Sequence, residues 1–159
     1  MEGNKKARIR AIIICGLIVL TITFIWSNSF QSVPESQADS LSVVEAIEPL
    51  LKLGSGRTKM DVERFRKVAH FAEFWLLGLE LALLLIALRK VSLQNAVNCL
   101  FASLVVAVVD ETIQVFSDRG SRVTDVLLDY SGAMTGLLVA FLVYWFVKKA
   151  RLTRIRLNR

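Results

Sequence analysis

DETIQVFSDRGSRVTDVLLDYSG, residues 110–132, joins two long apolar runs and crowds acidic and amide side chains at the junction. Asp110, Glu111 and Gln114 close the first run, and Asp125 and Asp129 open the second. An ionised group in hydrocarbon costs several kcal/mol, so such residues face a protein interior or a water-filled cavity and mark a functional site by default. A chain that carries five of them at one membrane level is read as using them.

Working outward, four apolar runs stand out, at about 10–26, 68–88, 96–116 and 126–147. The last three hold about 20 residues each, enough at ~1.5 Å per residue to cross a ~30 Å hydrocarbon core. The first, about 17 residues, sits near the lower limit. The 159 residues are 54% hydrophobic, with a mean hydropathy of +0.52, far from an ordinary soluble domain. The expected fold is all-α, a polytopic membrane bundle of four transmembrane helices forming a single domain over 1–159. No internal repeat or separate soluble domain is seen. The first run also has the basic flank of a secretory leader, with Ser27-Asn28-Ser29 as a small-x-small site. It is longer than the usual apolar core of such leaders and is read as a retained helix.

Lys and Arg set the orientation. Four precede the first run, Arg89-Lys90 joins the second and third, and six follow Val147. In 27–67 the basic residues are balanced by acids, as they are in the short 117–125 loop. Both termini are therefore expected in the cytoplasm, with 27–67 and the 117–125 loop facing outward. The net charge of +6 reads as a topology signal and a contact with the anionic inner leaflet, not as a nucleic-acid surface. The tail 148–159 places Leu152, Ile155 and Leu157 among arginines. It is open to two readings, a segment lying on the inner membrane surface or a frayed stop-transfer tail.

The outward segment reads as irregular over 27–40. Leu41, Val44, Ile47 and Leu51 then repeat at helical spacing, predicting a short amphipathic helix. Gly54-Ser55-Gly56 is a turn, and Thr58-x-x-Asp61 caps a helix that runs into the second span. Cys15 and Cys99 lie within spans without metal-ligand spacing and read as small packing residues.

Helical spacing gathers the polar residues. Arg66, His70, Glu73 and Glu80 form one stripe, Ser103, Asp110, Glu111 and Gln114 a second, and Asp125 and Asp129 a third above Gly132-x-x-x-Gly136. With the expected topology, all three stripes deliver their polar groups to one level, roughly 5–10 Å below the outer surface. Gly132 and Gly136 let a neighbouring helix approach closely. Glu80 lies deeper, where Thr21, Ser103 or Thr135 stand at a similar depth, and is expected to be protonated or paired.

Taken together, Arg66-Lys67-x-x-His70-x-x-Glu73, Asp110-Glu111-x-x-Gln114, Arg119, and Asp125-Val126-x-x-Asp129-x-x-Gly132-x-x-x-Gly136 resemble the VanZ-like family of bacterial membrane proteins. The resemblance spans about 10–147, including the Trp26-Ser27-Asn28-Ser29 exit from the first run. It implies a small envelope protein with a role in reduced susceptibility to teicoplanin-type glycopeptides. Two departures stand out. Ser117-Asp118 occupies the place of a common Pro-Gly, and Phe74 stands where an aromatic hydroxyl is frequent.

Two functions fit these residues. In the first, an outward polar pocket made by Arg66, Glu73, Asp110, Gln114, Arg119, Asp125 and Asp129 recognises a lipid-linked envelope component or a lipoglycopeptide. In the second, an intramembrane hydrolase or transferase uses His70 or Glu111 as its base. Arg119 either neutralises Asp125 or Glu111 or grips a phosphate or carboxylate through its planar fork. Arg122 reads as a solvated or headgroup-facing charge. One histidine and no useful cysteine argue against a structural zinc site, so no cofactor is assigned. A divalent cation on Asp110, Glu111, Asp125 or Asp129 with a lipid phosphate is the alternative. No phosphate loop or dinucleotide fingerprint is present.

Overall fold

A computed structural model describes residues 2–31, 41–43, 62–117 and 122–157. Four helices and no strand occur among them: α1 Glu2–Ser29, α2 Val62–Ala87, α3 Leu93–Phe116 and α4 Val123–Leu157. Each is long and apolar enough to cross a membrane, so the chain is an all-α, multi-pass helical bundle. Residues 41–43 are helical. The rest of the expected amphipathic helix, the Gly54-Ser55-Gly56 turn, the Thr58 cap and Arg119 lie outside the described residues.

Two boundaries differ from the sequence expectation, each for a physical reason. Helix α1 runs on through Ser27, Asn28 and Ser29, which read as the start of an irregular segment. Ser and Asn are weak helix formers because their side chains compete for backbone hydrogen bonds. Here Asn28 and Ser29 direct those groups to neighbouring helices instead. Helix α4 extends for 35 residues to Leu157, about 52 Å at 1.5 Å per residue. The basic tail up to that point is thus a continuation of the span and not a frayed end. Lys148 and Lys149 lie over the Tyr144 and Trp145 rings at 6.0 and 5.2 Å, an aromatic and basic collar of the kind found at membrane interfaces. Cys15 is exposed on α1 and does not pack in the bundle.

Helix α2 touches all three others, and its contact with α4 is by far the most extensive. The two helices run parallel with backbones almost in touch. A Cβ on Gly132 would stand 2.5 Å from the Phe71 carbonyl oxygen. One on Gly136 would meet the Trp75 carbonyl, and one on Gly78 the Ala133 carbonyl. Lipid tails are as apolar as leucine, so this association rests on van der Waals packing, which close backbone approach maximises. Around the contact, Ile25, Phe74, Leu77, Ala107 and Ala133 form one buried cluster and Ala82, Leu137 and Ala140 another. Gly78 was not singled out from the sequence, although Gly78-x-x-x-Ala82 has the same small-residue spacing as Gly132-x-x-x-Gly136.

The α2–α3 turn closes by a Schellman arrangement. Lys90 N donates to the Leu85 carbonyl and Arg89 N to the Ile86 carbonyl, with Arg89 at a left-handed φ of 57°. Ser92 then caps α3 by accepting from the Asn95 amide.

Replacing Gly136 by Leu drives a side chain into the Trp75 backbone, and overpacking of this kind costs about 1–3 kcal/mol or more. Thermal melting in detergent should therefore show a clear loss for Gly136→Leu. Gly16→Leu, where nothing lies within 4 Å of the added carbon, should melt like the parent. Equal melting of the two variants would remove the glycine contact as the basis of the packing.

Candidate functional site

The last turns of α1 and α3 and the first halves of α2 and α4 meet at one end of the bundle. The glycine contact sets the register there. Gly132 lies opposite Phe71 and Trp75, so Asp129, one turn earlier on α4, stands opposite His70. The stripes on α2, α3 and α4 are brought together at this level, and α1 closes them from the side.

Asp110 is at the centre, wholly buried. Its Oδ1 accepts from Ser29 Oγ at 2.6 Å and its Oδ2 from Gln114 Nε2 at 2.9 Å. Oδ2 also lies 3.7 Å from His70 Nδ1, which is 3.9 Å from Glu73 Oε2. The other Glu73 oxygen accepts from Asn28 Nδ2 at 2.9 Å. The imidazole of α2 is thereby set between one carboxylate of its own helix and one of α3, and both carboxylates are steadied by α1.

Asp129 is 1% exposed, and neither of its oxygens has a hydrogen-bond partner among the described residues. A ligand atom of Asp129, one of Asp110 and one of His70 all lie within 4.8 Å of one another. An ionised carboxylate in a low-dielectric interior without compensation is far too costly to persist, so a proton or a cation must neutralise this group.

The remaining acids tie the rim together. Buried Glu111 accepts from the Arg122 backbone amide at 3.3 Å, joining the end of α3 to the start of α4. Asp125, in the first turn of α4, pairs with Lys67 Nζ at 3.5 Å, and its charge there complements the helix dipole. Arg66 is partly exposed one turn before His70, and exposed Arg122 immediately precedes the last helix. Glu80 is apart from the cluster, deeper along α2, where Thr21 Oγ1 donates to it at 3.1 Å. Of the three hydroxyls at that depth, Ser103 and Thr135 bond to the carbonyls of their own helices instead.

Three residues of this constellation were not among the expected site: Asn28, Ser29 and Lys67. Each had a signal, the serine-rich exit of α1 and the basic pair before His70, but their partners became visible only when the helices packed.

The bonds differ in weight. Hydrogen bonds to charged groups contribute about 1.5–3 kcal/mol, whereas exposed ion pairs contribute about 0–1 kcal/mol. A double-mutant cycle on Ser29→Ala and Asp110→Asn should accordingly give a coupling of about 1–2 kcal/mol by unfolding in mixed micelles. The half-exposed pair tested by Lys67→Ala and Asp125→Ala should couple by less than about 1 kcal/mol. The reverse ranking would show that the rim, not the centre, holds this end of the bundle.

The model of the VanZ/LLP1 family matches residues 9–144, nearly the whole of the helical bundle. No curated protein and no solved structure matches the chain. The matched region takes in α2 and α3 whole, most of α1 and α4, and every acidic, amide and imidazole group of the cluster, and the chain belongs to the VanZ/LLP1 family.

Proposed function

We propose that this protein resides in the bacterial plasma membrane with both termini in the cytoplasm. In this reading, its polar cluster lies just below the outer surface and recognises a lipid-linked envelope component or a lipoglycopeptide of the teicoplanin kind. The observation that carries the reading is the gathering at one end of the bundle of His70, Glu73, Asp110 and Gln114, linked by hydrogen bonds and ion pairs, with a donor atom of Asp129 within 4.8 Å of His70 and Asp110. A conduction path would instead distribute polar groups along the depth of the membrane. Among the acidic groups of the described spans Glu80 alone lies deeper, and it is bonded to Thr21.

The basic residues of the N-terminal arm, the Arg89-Lys90 turn and the tail all fall at the opposite end from the cluster. This asymmetry supports an outward-facing site. Arg66, Lys67 and Arg122, at the mouth of the cluster, supply positive charge for a phosphate or carboxylate, and Arg119 in the adjoining loop is assigned the same task. The family's link to reduced glycopeptide susceptibility accords with a protein that holds such a ligand near the membrane surface.

A second reading, an intramembrane hydrolase or transferase on a lipid-linked substrate, draws on the setting of His70 between Asp110 and Glu73. A base oriented by a carboxylate is the arrangement that general-base chemistry requires. In that reading the carboxylates positioning His70 are Asp110 and Glu73, and Glu111 is occupied by the Arg122 amide.

Binding of a teicoplanin-type lipoglycopeptide to the purified protein, with envelope lipids followed by mass spectrometry, separates the two readings. For recognition, Arg119→Lys should weaken binding by about tenfold, the loss of one charge-assisted bond of the fork. Glu111→Gln should retain binding, and the envelope lipids should not change. For catalysis, one lipid species should depend on the protein and vanish with Asp110→Asn. Binding that is absent in the parent, together with an unchanged lipid profile, would defeat both.

A further inference from the structure

We propose that His70, Asp110 and Asp129 hold a divalent first-row transition-metal ion, zinc or manganese in kind, between α2, α3 and α4. The ion is proposed independently of any lipid ligand, since its three protein donors are supplied by the bundle itself.

Geometry is the first support. One donor atom from each residue lies within 4.8 Å of the other two, and the His70 Nδ1 to Asp110 Oδ2 separation is 3.7 Å. Two donors at ~2.1 Å from a tetrahedral ion stand about 3.4 Å apart, so small side-chain adjustments close the set around one centre. The second support is independent of the clustering. Asp129 is 1% exposed, and both its oxygens are buried without a hydrogen-bond partner among the described residues, while one of them is aimed at the other two donors. Burying a carboxylate this way is costly, and a coordinated cation removes the cost.

The surroundings are those of a metal site. Ser29 Oγ and Gln114 Nε2 hold Asp110 by one bond to each oxygen. A carboxylate oxygen accepts more than one partner, so the bond from Gln114 does not itself bar Oδ2 from an ion. Outer groups of this type orient metal ligands, and their loss typically weakens metal affinity by about 10–100-fold. Glu73 Oε2, 3.9 Å from His70 Nδ1, stands beside the set as a further oxygen. Glu73, Asp110 and Asp129 together bring an excess of negative charge that a dication balances.

Donor chemistry selects the class of ion. Calcium and magnesium favour all-oxygen sets, whereas an imidazole nitrogen with carboxylates suits zinc, manganese or iron. Three protein donors leave a coordination position open, unlike the closed four-ligand structural zinc site. Glu111 and Asp125 are not in the set, because they are committed to the Arg122 amide and to Lys67.

The test uses the full chain, purified in detergent and stripped with a chelator. Zinc and manganese uptake is read by elemental analysis and titration, with magnesium and calcium in parallel. The parent should take up about one ion of zinc or manganese per chain and melt higher with it, because an ion bound only by the folded state stabilises it. Asp129→Asn should lose that uptake, and Gln114→Ala should weaken it by about 10–100-fold. Glu80→Gln, deeper along α2, should bind as the parent does. Where Asp129→Asn does not fold, His70→Gln carries the same comparison. A parent that takes up no more zinc or manganese than Asp129→Asn overturns the proposal and leaves a proton as the neutralising partner. Equal uptake of magnesium and calcium overturns the assigned class.

Discussion

The near-contact of the α2 and α4 backbones is the constraint on which the rest depends. Gly78, Gly132 and Gly136 remove the side chains that would hold the helices apart. Packing then replaces the hydrophobic effect, which has no purchase between helices already in lipid. The register of this contact is also the register of the polar cluster. A slip of one residue along α4 would rotate Asp129 by ~100° about the helix axis and take it away from His70. The same three glycines thus act on stability and on the placement of the site.

Helix α1 has a different task. Most of its surface faces outward, with Ile9, Ile12, Ile13, Leu17, Val19 and Leu20 exposed. Its inner edge contributes three polar bonds: Thr21 to Glu80, Asn28 to Glu73 and Ser29 to Asp110. Each donates to a carboxylate that would otherwise be exposed to an apolar surrounding, where an unmade bond is expensive. This explains why a helix with so little buried apolar surface is part of the bundle. It also explains why its last turn is rich in residues that are poor helix formers in isolation.

The cluster combines a well-bonded centre with one conspicuous exception. Asp110 is bonded at both oxygens, Glu73 accepts from Asn28 and Glu111 accepts from a backbone amide, while Asp129 is buried beside them with no hydrogen bond among the described residues. Buried polar groups are normally paired, and this exception at the most acidic point of the bundle is the observation on which the cation proposal stands. Under the proposed reading, the basic mouth meets the anionic part of an envelope ligand and the acidic interior holds a cation. The two charges are complementary and occupy successive levels of one site.

By itself, the sequence determined that the chain is a bundle of four membrane-crossing helices. Hydrophobic length alone sets that number, and lipid admits no other fold for such runs. It also determined which faces of α2, α3 and α4 are polar, because helical periodicity is local. Only the tertiary structure decided which partners meet. Thr21 and not Ser103 or Thr135 reaches Glu80, Ser29 and Asn28 belong to the site, Glu111 turns to a backbone amide, and Asp129 is left buried beside His70. These pairings depend on the rotation and depth of one helix against another, which close packing at glycine sets and which no spacing within a single helix encodes.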